Sequence, residues 1–506
     1  IFFRCKMFLQ LGSDVWDCIS VFLESDSLSQ VCQSLWVSLG TRYVNGRCRS
    51  RHEVNKALMF VSGLGLLDVA GIRSLALDFS ESAFMGDSQA QALAALRDAP
   101  ALHTLNLNLA KTSVGDRSPQ ALVALKDAPS LHTLTLNLAM NSVGERGAQA
   151  LSALKDAPSL HTLALNLRWN LVGDGGAQAL AALKDMPALH SLSIDLARNA
   201  VGKAGAVALA ALADAPALRT LTLNLARNRV GEGGAEALAA LKNARSLRPL
   251  TLDLGDNAVG DTGAKALADL RDTPSLARLS LDLGGNSVGD AGAQALSALR
   301  EALCLEALDL SLATNSVGPR GAQALSALKD APALRALTLD LYWNSVGDTA
   351  AQALAVLADA PVGRPEASAP APVGVGDNPL GGPPHVQSGS APAPPLPLPL
   401  RTLRLNLAMN AVGVAGAQAL AAFKAAPALC TLTLNLYWNL VGDSGAEALA
   451  ALKDAPLLHT LALDLGDNSV GPAGAQALAA LKNASSIHDL TLDLGHEYGF
   501  GFEGYM

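Results

Sequence analysis

Residues Ser130–Pro158 read SLHTLTLNLAMNSVGERGAQALSALKDAP, and this stretch decides the fold. It carries two periods. Leu134, Leu136 and Leu138 alternate with Thr135 and Asn137, the spacing that turns one face of a strand to a core and the other to water. Asn141-Ser142-Val143-Gly144 then reads as a turn. After Gly147, the residues Ala148, Leu151 and Leu154 fall on one face of a short helix. An acidic residue often stands at the start of that helix (Asp116, Glu145, Asp174, Asp261), where it suits the positive end of the helix dipole. Pro158 closes the unit.

Near-copies begin at residues 101, 159, 188, 217, 246, 275, 304 and 333, and again at 399, 428, 457 and 486, all with a period of 29 residues. A looser copy, one residue longer, fills 71–100. One strand and one short helix cannot bury their apolar faces alone, whereas stacked copies share a continuous core. The expected organisation is a small helical segment over 1–50 and a linker or cap over 51–70. Repeats then fill 71–361, a Pro/Gly/Ala-rich insert 362–398, and further repeats 399–506, the last one truncated. The basic run Arg42, Arg47, Arg49, Arg51 and Lys56 reads as a solvated linker.

The run L-x-L-x-x-N-x-V at Leu136–Val143 and the G-x-x-x-L at Gly147–Leu151 resemble the leucine-rich repeat, in its ribonuclease-inhibitor-like subclass. That resemblance implies an α/β solenoid, a horseshoe with a parallel concave sheet and helices on the convex side. An extra Leu-x-Leu step, opened by Leu134, makes the strand look longer than usual. Near the start, residues 14–39 resemble an F-box, the helical module that docks on the adaptor subunit of cullin-RING ubiquitin ligases. Val15, Ile19, Phe22 and Leu23 share one helical face, a Ser-Asp-Ser turn follows, and Leu28, Val31 and Leu35 form a second stripe. The resemblance implies that Val15, Trp16, Ile19, Phe22, Leu23, Leu28, Val31 and Leu35 meet the adaptor, and through it a cullin. The usual Leu-Pro opening is absent and the spacing near Cys32 is compressed. The same residues also suit a helical cap over the first repeat.

Composition narrows the function. Of 506 residues, 50% are apolar, only 4% aromatic and 16% charged, so leucine and alanine must carry the core. Such a chain is too apolar for a disordered one. Its longest apolar stretch, Ala57–Ile72, is broken by Asp68 and by glycines and falls short of the ~20 residues of a spanning helix. A net charge of −8 provides no global basic field for nucleic acid. Asp14, Asp17 and Glu24 interrupt any apolar run near the start, so no secretory signal is expected. The six cysteines form no C-x-x-C pair and read as reduced thiols of a cytoplasmic or nuclear protein. Residues 1–6 and 496–506 depart from the pattern and carry no functional reading.

Catalytic motifs are absent from the sequence: there is no P-loop, no nucleophile elbow and no H-E-x-x-H. The G-x-G-G at Gly173–Gly176 and Gly231–Gly234 recurs without a distinctive acidic partner and reads as turn and packing glycine. The expectation is a monomeric, non-catalytic scaffold with no cofactor and no metal that grips a protein partner, with neither nucleic acid nor membrane as partner. If the F-box resemblance holds, the chain is a ubiquitin-ligase substrate receptor. The alternative is the sensor portion of an innate-immune-like or signalling receptor without its nucleotide-binding module.

The partner site is expected on the concave face. Polar residues between the leucines form a column that includes Asn137, Asn166, Asp195, Asn224, Asp253, Asp282, Asp340, Asn406 and Asn435. Just past the strand, three repeats carry Arg168-Trp169, Tyr342-Trp343 and Tyr437-Trp438, and exposed Trp and Tyr are favoured interface anchors. Arg168, Arg198, Arg219, Arg227 and Arg248 come early and Asp253, Asp256, Asp282 and Asp340 later, a charge segregation that would steer a complementary partner. Histidines 103, 132, 161, 190, 459 and 488 share one position, but without interleaved cysteine or carboxylate ligands at suitable geometry no metal site is expected. Asn141 and its counterparts, such as Asn170 and Asn199, read as structural amides that satisfy backbone groups where strand becomes loop. The insert, whose tail reads APAPPLPLP, suits a polyproline II loop extruded from the stack.

Overall fold

A computed structural model describes residues 43–63, 72–359 and 399–495. The F-box-like residues up to 42 and the whole of the insert lie outside the described residues. The chain divides into two compact units, one ending at Ser287 and the other beginning at Val288.

Each unit is an open α/β solenoid. In the first, nine strands from β1 (Tyr43–Arg47) to β9 (Arg278–Asp282) pair in parallel and in chain order. In the second, six strands from β10 (Ala307–Ser311) to β15 (Asp489–Asp493) do the same. The register never slips, because a shift of one residue would turn every leucine to solvent. β4 (Thr133–Asn137) shows the rule: Leu134 faces Leu105, Leu136 faces Leu107, and all four are buried.

The strands are five residues long, not extended as the extra leucine suggested. Pairing takes in Leu134 and Leu136 and stops at Asn137; Leu138 lies beyond it, still buried, with its N–H on the Asn166 carbonyl at 2.8 Å. The added leucine therefore deepens the core without lengthening the ladder. After the turn comes an α-helix, Glu145–Ser152, and then a 3-10 turn, Ala153–Asp156, which together bury Gly147, Ala148, Leu151 and Leu154. The tighter 3-10 winding lets the chain leave the helix before Pro158, whose predecessor must be extended. Helices of adjacent repeats pack through Gly and Ala. A Cβ added at Gly176 would lie 2.4 Å from Val172 Cγ1 and 3.0 Å from Ala148 Cβ, so glycine is required there.

The array begins earlier than expected. Tyr43–Arg47 is a strand in register with Ser74–Asp78, and Arg51–Gly63 is a helix. This corrects the linker reading of the basic run: Arg47 ends a strand, while Arg51 and Lys56 ride on that helix. Val44, Val54, Ala57 and Val61 are the buried residues that dock it. The signal was hidden because β1 reads YVNGR, with valine and glycine at the inward positions where later repeats have leucine.

Two polar ladders seal the stack. The amide of Asn170 donates to the carbonyls of Leu138 (2.9 Å) and Leu167 (2.9 Å), and its oxygen accepts the Val143 N–H at 2.9 Å. Asn141, Asn199, Asn257 and Asn439 repeat the scheme, which agrees with their structural reading. The second ladder is unanticipated. Asp116 serves not its own helix but the next one, accepting the N–H groups of Gly144 (2.7 Å) and Gly147 (2.9 Å). Asp174, Asp290 and Asp443 do the same for Gly202, Gly318 and Gly471. A carboxylate thus meets the orphan donors of a helix start one repeat away.

Candidate interaction surfaces

Three surfaces border each sheet: its solvent face, the rim past the strand ends, and the edge before the strands begin. On the face, the polar column is partly committed to the backbone. Asn137 Oδ1 accepts the N–H of Ala139 at 3.1 Å, and Asp195, Asn224, Asp253, Asp282, Asp340, Asn406 and Asn435 each accept the N–H two residues on. Asn166 likewise receives the Arg168 N–H. One oxygen of each side chain is spent closing the strand end.

Two acidic members of the column, Asp195 and Asp253, are not equivalent to free carboxylates. Burial pushes the Asp253 carboxyl above the usual range against the pull of the Gly255 N–H, and Asp282 and Asp195 push it the same way. Asp195 and Asp464 are raised for the same first reason, their partial burial.

The rim holds the aromatics. Trp169, Trp343 and Trp438 sit at turn tips with φ of 56°, 50° and 53°, the left-handed region that side chains rarely adopt. The backbone imposes this conformation on nearly every repeat: Met140, Arg198, Arg227, Asp256, Thr314, Met409 and Asp467 share it. The tip residue therefore varies freely while its backbone does not. Trp343 and Trp438 are each 58% exposed. Tyr342 meets Trp343, and Tyr437 meets Trp438, edge to face. Sequence reading missed two further exposed side chains, Leu171 and Leu440, which follow the ladder asparagines Asn170 and Asn439. No periodicity marks that position as outward, since it lies in a turn.

The five early arginines do not form one patch. Arg168, Arg198 and Arg227 belong to the rim, whereas Arg219 and Arg248 immediately precede their strands and lie on the opposite edge. Sequence order groups them, but a strand runs between the two positions. On the rim, charge is already partly answered: the Arg198 guanidinium lies 3.9 Å over the Trp169 ring, and Arg227 Nε pairs with Asp256 at 3.1 Å.

The opposite edge carries the histidines. His103, His132, His161 and His190 stack face to face, with ring centroids 5.2, 5.1 and 5.4 Å apart. Among the described residues no cluster of three or more His, Cys, Asp or Glu could hold a metal ion. Cys48, Cys304 and Cys430 are free thiols, and no described helix is long and apolar enough to cross a membrane.

One family model matches segments of the repeats. The family model described as Leucine Rich repeat matches residues 130–152, 160–181, 217–239, 247–268, 279–297, 400–421, 428–450 and 459–479. Among solved structures, the chain is similar to an internalin from Listeria monocytogenes, at 16% identity and a TM-score of 0.44, covering 88% of this chain and 95% of that one. No curated protein matches the chain. The segments that match that model are leucine-rich repeats.

Proposed function

We propose that this chain is a non-catalytic scaffold that binds a protein partner through the rim and face of its repeats. The observation that carries the reading is the row Trp343, Met409 and Trp438 in the second unit. Three successive repeats present large apolar side chains at tips where the fold dictates only the backbone. Exposed tryptophans cost solubility and add nothing to the core, so a partner that buries them is the simplest physical reason for their presence. Tyr342 and Tyr437 flank the row, and Asp340, Asn406 and Asn435 border it on the face. In the first unit, Arg168 and Trp169, with Asn137, Asn166, Asp195, Asn224, Asp253 and Asp282, are the corresponding contact set.

The finer reading is a substrate receptor of a cullin-RING ubiquitin ligase, with residues 1–50 holding the adaptor and the repeats holding the target. It rests on the apolar stripe of Val15, Ile19, Phe22, Leu23, Leu28, Val31 and Leu35. Affinity purification of the full chain beside a deletion of 7–42, which spares the first strand, tests it. Adaptor and cullin recovered only with the full chain support the receptor role; neither recovered with either form removes that role and leaves the scaffold reading in place.

A further inference from the structure

We propose that the edge preceding the strands of the first unit is a second binding strip, one that takes an extended acidic peptide and holds it more tightly as its histidines gain protons.

The strip is continuous. Arg73, the four stacked histidines, Arg219 and Arg248 occupy the same position in seven successive repeats. Their backbones stay in step: His103 N–H donates to the Arg73 carbonyl, each later histidine to the one before it, Arg219 to His190, and Arg248 to Arg219. With strands ~4.8 Å apart, seven such positions span about 30 Å, the length of roughly nine extended residues. Arg73, Arg219 and Arg248 are exposed, and none makes an ion pair among the described residues.

The histidines are set up for this task. Each Nδ1 lies 2.5–2.8 Å from the carbonyl oxygen two residues before it, at Ala101, Ser130, Ser159 and Ala188. A carbonyl only accepts, so Nδ1 carries the hydrogen. In the neutral ring Nε2 is then a bare acceptor, and protonation turns it into a second donor. Four rings fixed in parallel would present four such donors in a row.

No protein carboxylate already fills that place. The first and third strand positions beside the histidines are uncharged: Thr104, Thr133, Thr162 and Ser191, then Asn106, Thr135, Ala164 and Ser193. The segments leading into them, 99–102, 128–131, 157–160 and 186–189, contain no charged residue. The acids at the ends of the preceding 3-10 turns, Asp98, Asp127, Asp156 and Asp185, are each held by the basic residue before them. At the far end of the neighbouring strand, Asp195 is engaged by the Ala197 N–H. No aromatic ring other than the imidazoles lies at these positions to stack on bases, which favours a peptide over a nucleic acid strand.

Fluorescence anisotropy of a labelled ten-glutamate peptide with the full chain, at constant ionic strength and at pH 7.5, 6.5 and 5.5, tests the proposal. The expected result is a dissociation constant at least tenfold lower at pH 5.5 than at pH 7.5. His132→Gln with His161→Gln should cut that change to less than threefold. Arg219→Ala with Arg248→Ala should weaken binding at every pH while leaving the pH dependence in place. Calorimetry of the unaltered chain in two buffers of different ionisation heat should register net proton uptake on binding, a readout that does not depend on any variant folding. Affinity independent of pH, zero proton uptake, a pH dependence that survives the histidine substitutions, or tighter binding of a ten-thymidine strand than of the peptide would each overturn it.

Discussion

Asp348 and Gly413 are 65 residues apart in sequence, yet the Asp348 carboxylate accepts the Gly413 N–H at 2.6 Å. Asn410 makes the matching link, donating to the Leu341 carbonyl at 2.7 Å. The strands on either side of the insert, Ala336–Asp340 and Thr402–Asn406, pair residue for residue as any other neighbours do. The repeats therefore treat the insert as an excursion. Deleting 362–398 restores the 29-residue spacing, since the repeat that begins at 333 then runs straight into residue 399. Loop closure depends only weakly on loop length, by ~0.6 kcal/mol per doubling. The melting temperature of the deletion should be no lower than that of the full chain by calorimetry; a clear drop would show that the insert supports the stack.

Asn170 is buried with both ends of its amide engaged. Asn170→Ala leaves the Val143 N–H and two carbonyls without these partners, which should cost about 1–3 kcal/mol. Denaturant titration measures the loss, and hydrogen exchange should quicken at the Val143 amide. An unchanged midpoint would contradict the structural role of the whole asparagine ladder.

Asp253 makes a prediction about pH. Its folded carboxyl is raised above the ~3.9 of an unfolded chain, first by burial. Between those two values the folded state holds the extra proton, so stability falls as pH rises through that window and stays lowered at neutrality. Asn224, in the neighbouring repeat, shows that an amide serves the same backbone contact. Asp253→Asn should therefore stabilise the protein at pH 7 by ~0.5 kcal/mol, the scale of a like-charge cross-strand pair, and should gain nothing near pH 3. Thermal melts at the two pH values decide it; destabilisation at pH 7 would mean that the second oxygen has a partner of its own.

Cys48 and Cys304 should differ in reactivity. Burial, aided by Glu53 and Asp78, pushes the Cys48 thiol up to about 12, while Cys304 is exposed. Because the thiolate is the reactive form, iodoacetamide at pH 8 should label Cys304 and spare Cys48 until the chain is unfolded, as read by peptide mass spectrometry. Equal labelling in the folded protein would contradict the buried placement.

Much of this structure can be read from the leucines. Their alternation marks the strands from Ser74–Asp78 to Asp489–Asp493, and the recurring asparagine marks the turn, because both are local and repeated. What escaped reading was either non-local or written in backbone geometry. Asp116 looks like a cap for the helix beside it, and only the stacking reveals that it caps the next repeat. Arg219 and Arg227 look like neighbours, but they stand at opposite ends of one strand. Left-handed tips carry no sequence mark because the residues there range from Met140 to Trp169 and Asp256. β1 was lost because its inward positions hold no leucine.

The central claim is that the tip side chains bind while the backbone beneath them folds. Trp343→Ala with Trp438→Ala, examined for both melting temperature and affinity toward a partner recovered with the full chain, tests it most directly. The expected result is an unchanged melt and an affinity weakened by about 2 kcal/mol or more, roughly thirtyfold in the dissociation constant. An undiminished affinity, or a loss of binding that merely follows a loss of folding, would contradict it.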